Sequence, residues 1–252
     1  MILIRSWLGN IWIYLWIALG VILSCIFGWF VPQSWVVVYW NRFILPTALW
    51  GLRVFGGIGI EVRGRQYLNQ EQAVYASKHE SALETYAMTT IVTRGVMILK
   101  KELTYIPFFG WAQWLYGLIP VDRGAGARAM KKMLAAAQKR VAEKRPIIIF
   151  PEGHRMKPGT TQKYKPGFLF MAQNLKLPVI PVALNTGMFW PRSSAKHLPG
   201  KVIIEFMEPM VPGSDKNAFI EELQAKIEAK CAELNEETVK NYPYTAVNMA
   251  EK

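Results

Sequence analysis

Ala73-Val74-Tyr75-Ala76-Ser77, followed at once by Lys78-His79-Glu80-Ser81-Ala82-Leu83-Glu84, is the stretch on which the fold turns. Its first five residues have the length and apolar content of a buried strand, and the rest reads as a turn entering a helix. The strand signal recurs at residues 58–62, 95–99, 117–121, 147–150, 179–184 and 202–206. Helical patterns lie between these runs. The clearest covers residues 126–144, where Met130, Met133, Leu134, Ala137 and Val141 share one face while Arg128, Lys131, Lys132, Lys139 and Arg140 fill the others. A last helix is expected over residues 215–239, with Phe219, Leu223, Ile227 and Leu234 as its apolar stripe, Ser214 placed to cap it and Asp215 favourable to its dipole. The tail from Tyr242 is expected to be poorly ordered. Such alternation predicts an α/β fold, a mixed central sheet flanked by helices.

The other end of the chain is different in kind. From Ser6 to Asn41 no Asp, Glu, Lys, Arg or His occurs over 36 residues, whereas about 20 apolar residues suffice to cross a bilayer core as a helix. No small-residue cleavage site with a polar mature start comes after it, which argues against a removed signal peptide. Pro32, Gln33 and Ser34 interrupt the run, and a second apolar stretch, residues 35–50, carries only Arg42. We therefore expect a membrane-embedded helical hairpin over residues 1–56 and an α/β domain over residues 57–252. A hairpin returns its ends to one side, which gathers Arg5, Arg42, Arg53, Arg63 and Arg65 there. The positive-inside tendency makes that side cytoplasmic. Segregation of this kind explains how 52% hydrophobic residues coexist with a formal net charge of +12. Membrane lipids are the partner it implies. Nucleic acid is not, because no zinc-finger, basic-zipper or RNA-recognition signature accompanies the charge. Cys25 and Cys231 are far apart and lack a C-x-x-C partner, so neither a disulfide framework nor a zinc site is indicated, and nothing requires a metal.

His79 stands after a strand and before a helix, where catalytic groups of α/β sheets collect. An imidazole whose tautomer is fixed by a carboxylate can act as a general base, and Glu84 could be that carboxylate. Five residues is not a same-face helical spacing, so the pair can meet only if His79 lies in the turn before the helix. The spacing fits a surface histidine and a first-turn glutamate equally well. Farther on, Lys100-Lys101-Glu102-Leu103 precedes Pro107-Phe108-Phe109-Gly110. Pro120-Val121-Asp122-Arg123-Gly124 comes next, and Phe150-Pro151-Glu152-Gly153-His154-Arg155 then puts an acid and an arginine at a strand's end, with Lys165-Pro166-Gly167 soon after. Ser81 has no G-x-S-x-G elbow around it.

In order and content these blocks, over roughly residues 79–184, resemble the glycerolipid acyltransferases typified by the 1-acylglycerol-3-phosphate acyltransferases. The family's first block, histidine, four residues and an acid, corresponds to His79 and Glu84, with glutamate for the commoner aspartate. Its second corresponds to Lys100, Glu102, Leu103, Pro107 and Gly110, continuing to Asp122-Arg123. Its third corresponds to Phe150 through Arg155, with His154 in place of threonine. A lysine-glycine element matches Lys165 and Gly167, and the fourth block matches Ile180-Pro181-Val182. The resemblance implies transfer of a fatty acyl group from acyl-CoA or acyl carrier protein, as co-substrate without a further cofactor, to the sn-2 hydroxyl of 1-acyl-glycerol 3-phosphate. Phosphatidic acid would be the product, within phospholipid biosynthesis at the cytoplasmic face of the cell inner membrane. It implies that His79 is the base and Glu84 its orienter, and that Arg123 and Arg155 hold the acceptor phosphate with Lys100 and Lys165 as helpers. Glu152 and Gly153 would shape the turn or position the acceptor.

Two readings of other classes compete, besides another lysolipid as acceptor. Gly124-Ala125-Gly126-Ala127-Arg128-Ala129 fits the G-x-G-x-x-A pattern of a dinucleotide-binding turn, with Glu152 ending the next strand. That acid, however, is farther on than the fingerprint places it. A non-enzymatic membrane-surface adaptor would account for the anchor and the basic faces but not for the His79–Glu84 spacing.

Overall fold

The computed structural model describes residues 2–68, 72–122, 124, 126–192 and 194–250. In chain order, helix α1 (Ile2–Phe27) is followed by a second helical leg. This leg consists of α2 (Gln33–Tyr39), a π-helical turn (Trp40–Ile44), α3 (Leu45–Gly51) and a second π turn (Leu52–Gly56). Then come β1 (Ile58–Arg63), β2 (Val74–Ser77), α4 (Leu83–Ile91), β3 (Val96–Lys100), α5 (Phe109–Tyr116), β4 (Ile119–Val121), α6 (Gly126–Ala142), β5 (Ile147–Ile149), α7 (Gly167–Leu175), β6 (Val179–Leu184), α8 (Thr186–Phe189), β7 (Gly200–Phe206) and α9 (Lys216–Asn241). The strands form one seven-stranded sheet in the order β1-β7-β6-β2-β5-β3-β4. Every pairing is parallel except β6 with β7. The mixed sheet expected from the sequence is thus present, and β2 runs through its middle.

Alternation along the strands divides the core into two layers. Tyr75, Ile148, Ile180 and Ile204 face a cluster that includes Ile13, Val36, Ile44 and Leu52 of the helical legs together with Leu83 and Met88 of α4. Val74, Ala76, Ile149 and Ile203 face the opposite way, against Met133, Phe168, Leu223 and Ile227 of α6, α7 and α9. The apolar N-terminal segment is therefore the cover of one sheet face. It is also tied to the domain at both ends. Near its start Ser6 exchanges hydrogen bonds with the main chain of His197, and Asn10 donates to Ala195 O. Near its end Cys25 lies against Phe108 O, and Trp29 stacks on Trp114. A helix of 26 residues is about 39 Å long, so α1 runs along the sheet rather than away from it.

Three expectations need correction. The break falls at Pro32, but the leg beyond it is a chain of short helical pieces, and among the described residues only Ile2–Phe27 is long and apolar enough to cross a membrane. Pro46 cannot donate to the carbonyl of Arg42, and the run slackens into a π turn just before it. The last helix is capped by Asp215, whose side chain accepts from Asn217 and Ala218 N–H, and not by Ser214. After Tyr242 the chain makes a 3₁₀ turn that docks, with Asn248 donating to Met188 O and Tyr244 to Pro199 O.

Close approach of the two helical legs depends on Gly51. A Cβ there would fall 1.9 Å from Trp12 Nε1, and the Trp12 indole is pinned by its hydrogen bond to Thr47 O at 3.0 Å. Gly51→Ala is expected to displace the indole and cost about 1–3 kcal/mol, read as a lowered unfolding midpoint in detergent. Gly59→Ala, where a Cβ meets only Gly200 O at 4.0 Å, should change the midpoint little. Equal midpoints for the two variants would contradict this packing.

Candidate active site

Register builds the site. β2 and β5 run parallel with Ala76 opposite Ile149, so three residues beyond each of these His79 and Glu152 leave the sheet side by side. The His79 N–H donates to Glu152 Oε2 at 2.8 Å, and the His79 carbonyl accepts from Met156 N–H at 2.7 Å. α4 begins only at Leu83, so His79 lies in the preceding turn, as contact with Glu84 requires. The His79 Nδ1 to Glu84 Oε1 distance is 2.8 Å. The same Glu84 oxygen accepts from the N–H groups of Glu80 and Ser81, at 2.8 and 2.6 Å, while Oε2 accepts from the Thr186 hydroxyl at 2.7 Å. Glu84 is fully buried and its acceptors are engaged on both oxygens. Phe150 stacks on the imidazole with ring centroids 4.0 Å apart. A carboxylate at Nδ1 holds the proton there and leaves Nε2 as the basic nitrogen.

Beneath this turn lies a buried charge cluster. Lys78 is 1% exposed, and its ammonium donates to Thr160 O and to both Glu228 oxygens, at 2.8, 2.8 and 2.9 Å. It also pairs with Glu152 Oε1 at 2.7 Å. Tyr164 donates its hydroxyl to Glu228 as well. Burial works against the Lys78 charge, but Glu152 and Glu228 outweigh it and hold the ammonium up to about 12. Burial pushes the Glu152 carboxyl up to about 7 against the pull of Lys78. Glu80, buried and bonded through one oxygen to Gly187 N–H, is raised to about 8, chiefly by burial.

An open cavity of about 390 Å³ faces the imidazole. Of the residues expected to carry chemistry, His79, Lys100, Gly153, Arg155 and Lys165 line it. Glu152 does not. Its carboxylate is buried and turned inward onto Lys78 and the His79 N–H. Gly153 turns with φ +81°, and a Cβ there would meet Lys165 Nζ at 3.0 Å, so glycine both permits the turn and makes room for the lysine. Arg123 lies outside the described residues, as does Ala125 of the G-x-G-x-x-A segment. The segment comes after β4, an edge strand, whereas a dinucleotide turn comes after a central one. Among the described residues no three His, Cys, Asp or Glu side chains converge as a metal site would. Lys78, Phe150 as a stacking partner, Thr186 and Glu228 were not identified from sequence, and only the adjacency of Lys78 to His79 could have drawn attention to one of them.

Comparison with known proteins agrees with this geometry. Residues 59–185 match the family model described as Acyltransferase, a span that contains the His79–Glu84 turn and the Phe150–Arg155 loop. The chain is 32% identical to a 1-acyl-sn-glycerol-3-phosphate acyltransferase of Pseudomonas aeruginosa, over 87% of this chain and 84% of that one. It is 28% identical to the human 1-acyl-sn-glycerol-3-phosphate acyltransferase alpha over 68% of this chain, a stretch that spans 61% of the human protein. The crystal structure of the 1-acyl-sn-glycerophosphate acyltransferase of Thermotoga maritima shares the fold, with a TM-score of 0.76 and 20% identity over 93% of this chain and 98% of that one. With a histidine–carboxylate pair at the mouth of a basic cavity and these matches around it, the chain belongs to the acyltransferase family.

Proposed function

We propose that this protein transfers a fatty acyl group from an acyl thioester, carried by coenzyme A or acyl carrier protein, to the sn-2 hydroxyl of 1-acyl-glycerol 3-phosphate, giving phosphatidic acid. The observation that carries the proposal is the His79 Nδ1–Glu84 contact of 2.8 Å at the edge of the cavity. His79 Nε2 takes the proton of the sn-2 hydroxyl as that oxygen attacks the thioester carbonyl. Collapse of the tetrahedral adduct breaks the C–S bond, and the imidazolium returns its proton to the departing thiolate. Glu84 stabilises the imidazolium between these steps, and no acyl-enzyme is required. Arg155 binds the acceptor phosphate through its guanidinium fork. Lys100 and Lys165, both exposed at the rim of the cavity, add charge for substrate phosphates. An apolar pocket of about 100 Å³ shares Thr85 and Met97 with the cavity and takes the donor's acyl chain.

The helical legs serve as the membrane anchor. Their outer face exposes Trp7, Leu15, Phe43 and Trp50, and because α1 is bonded to the domain at both ends the segment lies in one leaflet, not across the bilayer. The site then faces the inner membrane from the cytoplasmic side, where a water-soluble thioester donor can reach it.

General-base loss costs about 10²–10⁴-fold, so His79→Ala should lose turnover by that factor while keeping its fold and its partition into vesicles. Activity within a few-fold of wild type would remove His79 from the mechanism. Arg155→Ala should lower kcat/KM for 1-acyl-glycerol 3-phosphate by about 10- to several-hundred-fold and leave the matching monoacylglycerol far less affected, with Arg155→Lys between. An equal loss on both acceptors would assign Arg155 to structure or to the donor. Lys78→Met leaves Glu152 and Glu228 without their counter-charge, and breaking a buried ion pair costs about 3–5 kcal/mol. The expected readout is a lowered denaturation midpoint in detergent, and an unchanged midpoint would contradict the role of Lys78.

A further inference from the structure

A second cavity, of about 730 Å³, opens on the other side of Arg155. Its walls are Trp7, Ile11, Leu15 and Ala18 of α1, facing Trp190 and Pro191 beyond α8, and its inner end closes on Arg155 and on Ala82 of the His79–Glu84 turn. Arg155 is the only described residue that lines both this cavity and the one containing His79. Its guanidinium makes no ion pair with any described residue. We propose that this groove binds the sn-1 acyl chain of the lysophospholipid acceptor.

The assignment rests on the reading of Arg155 as the phosphate ligand and extends it. A lysophospholipid has one anionic end, one free hydroxyl and one long chain, and the two cavities meet at a single cation with the imidazole on one side and an apolar trough on the other. With the phosphate on Arg155, the glycerol hydroxyl lies toward His79 and the chain leaves along α1. The trough opens among the exposed side chains of α1, Trp7 at 65% and Leu15 at 63% exposure among them. That is the surface offered to the bilayer, in which the acceptor is already dissolved. The donor arrives from water and reaches His79 from the other side, past Lys100 and Lys165, so two acyl chains enter without crossing.

Ala18 is exposed in the wall of the groove, so Ala18→Trp fills it without disturbing the core. Leu19→Trp, also exposed on α1 but outside the groove, is the control. The experiment measures kcat/KM for 1-hexanoyl- and 1-oleoyl-glycerol 3-phosphate in detergent, with octanoyl and palmitoyl thioesters as donors. Losing contact with two or three methylenes should cost Ala18→Trp about 10- to 50-fold on the oleoyl acceptor, with the hexanoyl acceptor and the donor preference unchanged and Leu19→Trp like wild type. A photoreactive diazirine at the end of the acceptor's chain should label the groove wall at Trp190, Pro191, Ser194 or Ala195 in the wild type, whether or not turnover occurs. Loss of discrimination between donors would give the groove to the thioester's chain, and an unchanged acceptor profile or labelling elsewhere would also overturn the assignment. Failure of the underlying reading looks different: the wild type then acylates neither acceptor, or Arg155→Ala does not discriminate against phosphate.

Discussion

The parallel register of β2 with β5 is the constraint on which the site depends. Because Ala76 stands opposite Ile149, the two loops leaving the sheet are level, and the His79 N–H can donate to Glu152. An isolated carboxylate buried at that depth would take up a proton. Lys78, one residue before His79, opposes this, and its remaining capacity is filled by Glu228 from α9 and by Thr160 O. The fourth charged partner in the neighbourhood, Glu84, is satisfied separately by two N–H groups, a hydroxyl and the imidazole. Two independent hydrogen-bonded systems thus fix His79, one on its main chain and one on its ring. A base held in this way loses little entropy when it takes a proton from a bound hydroxyl.

The same sheet joins an apolar N-terminal segment to a charged α/β domain. Its face toward α6, α7 and α9 is covered by helices, of which α6 carries lysine and arginine and α9 lysine and glutamate away from the core. Its other face is covered by the N-terminal legs, which bury Ile13, Val36 and Ile44 inward and expose tryptophan, leucine and phenylalanine outward. The segment proposed as anchor is therefore also part of the core. Small residues make this possible, since Gly9 lies against Gly56 and Gly51 against Trp12. Ala82 and Arg155 of the site line the groove beside α1, so the site is joined directly to the apolar N-terminal segment.

Much of this was legible in the sequence. All seven strands were readable because each is a short apolar run bounded by turn residues, and His79 with Glu84 was readable because a strand end followed by a helix start leaves the histidine in a turn. The features that stayed hidden depend on distant partners. Lys78 reads as a surface cation, and partners far along the chain, Glu152 and Glu228, the latter 150 residues away, make its burial possible. Glu152 reads as a candidate for substrate contact until its partners turn it inward. The tail after Tyr242 has no periodic pattern of its own and is ordered by Met188 and Pro199. The second helical leg is apolar enough to suggest one helix, and Pro46 with its preceding π turn divides it. Ser214 and Asp215 are both good caps, and the choice between adjacent residues is decided by where the backbone first turns helical.

In the proposed mechanism His79, oriented by Glu84, takes the proton of the sn-2 hydroxyl while the acyl group passes directly from thioester to lipid. The most direct measurement is a rapid-quench single turnover of the purified protein with an isotopically labelled acyl thioester and 1-acyl-glycerol 3-phosphate, monitoring both the lipid product and the intact protein mass. The account predicts label at the sn-2 position of phosphatidic acid, appearing as the thioester disappears, with no acylated protein at any time. Label that resides on the chain before it reaches the lipid, or no transfer to the sn-2 position, would contradict it.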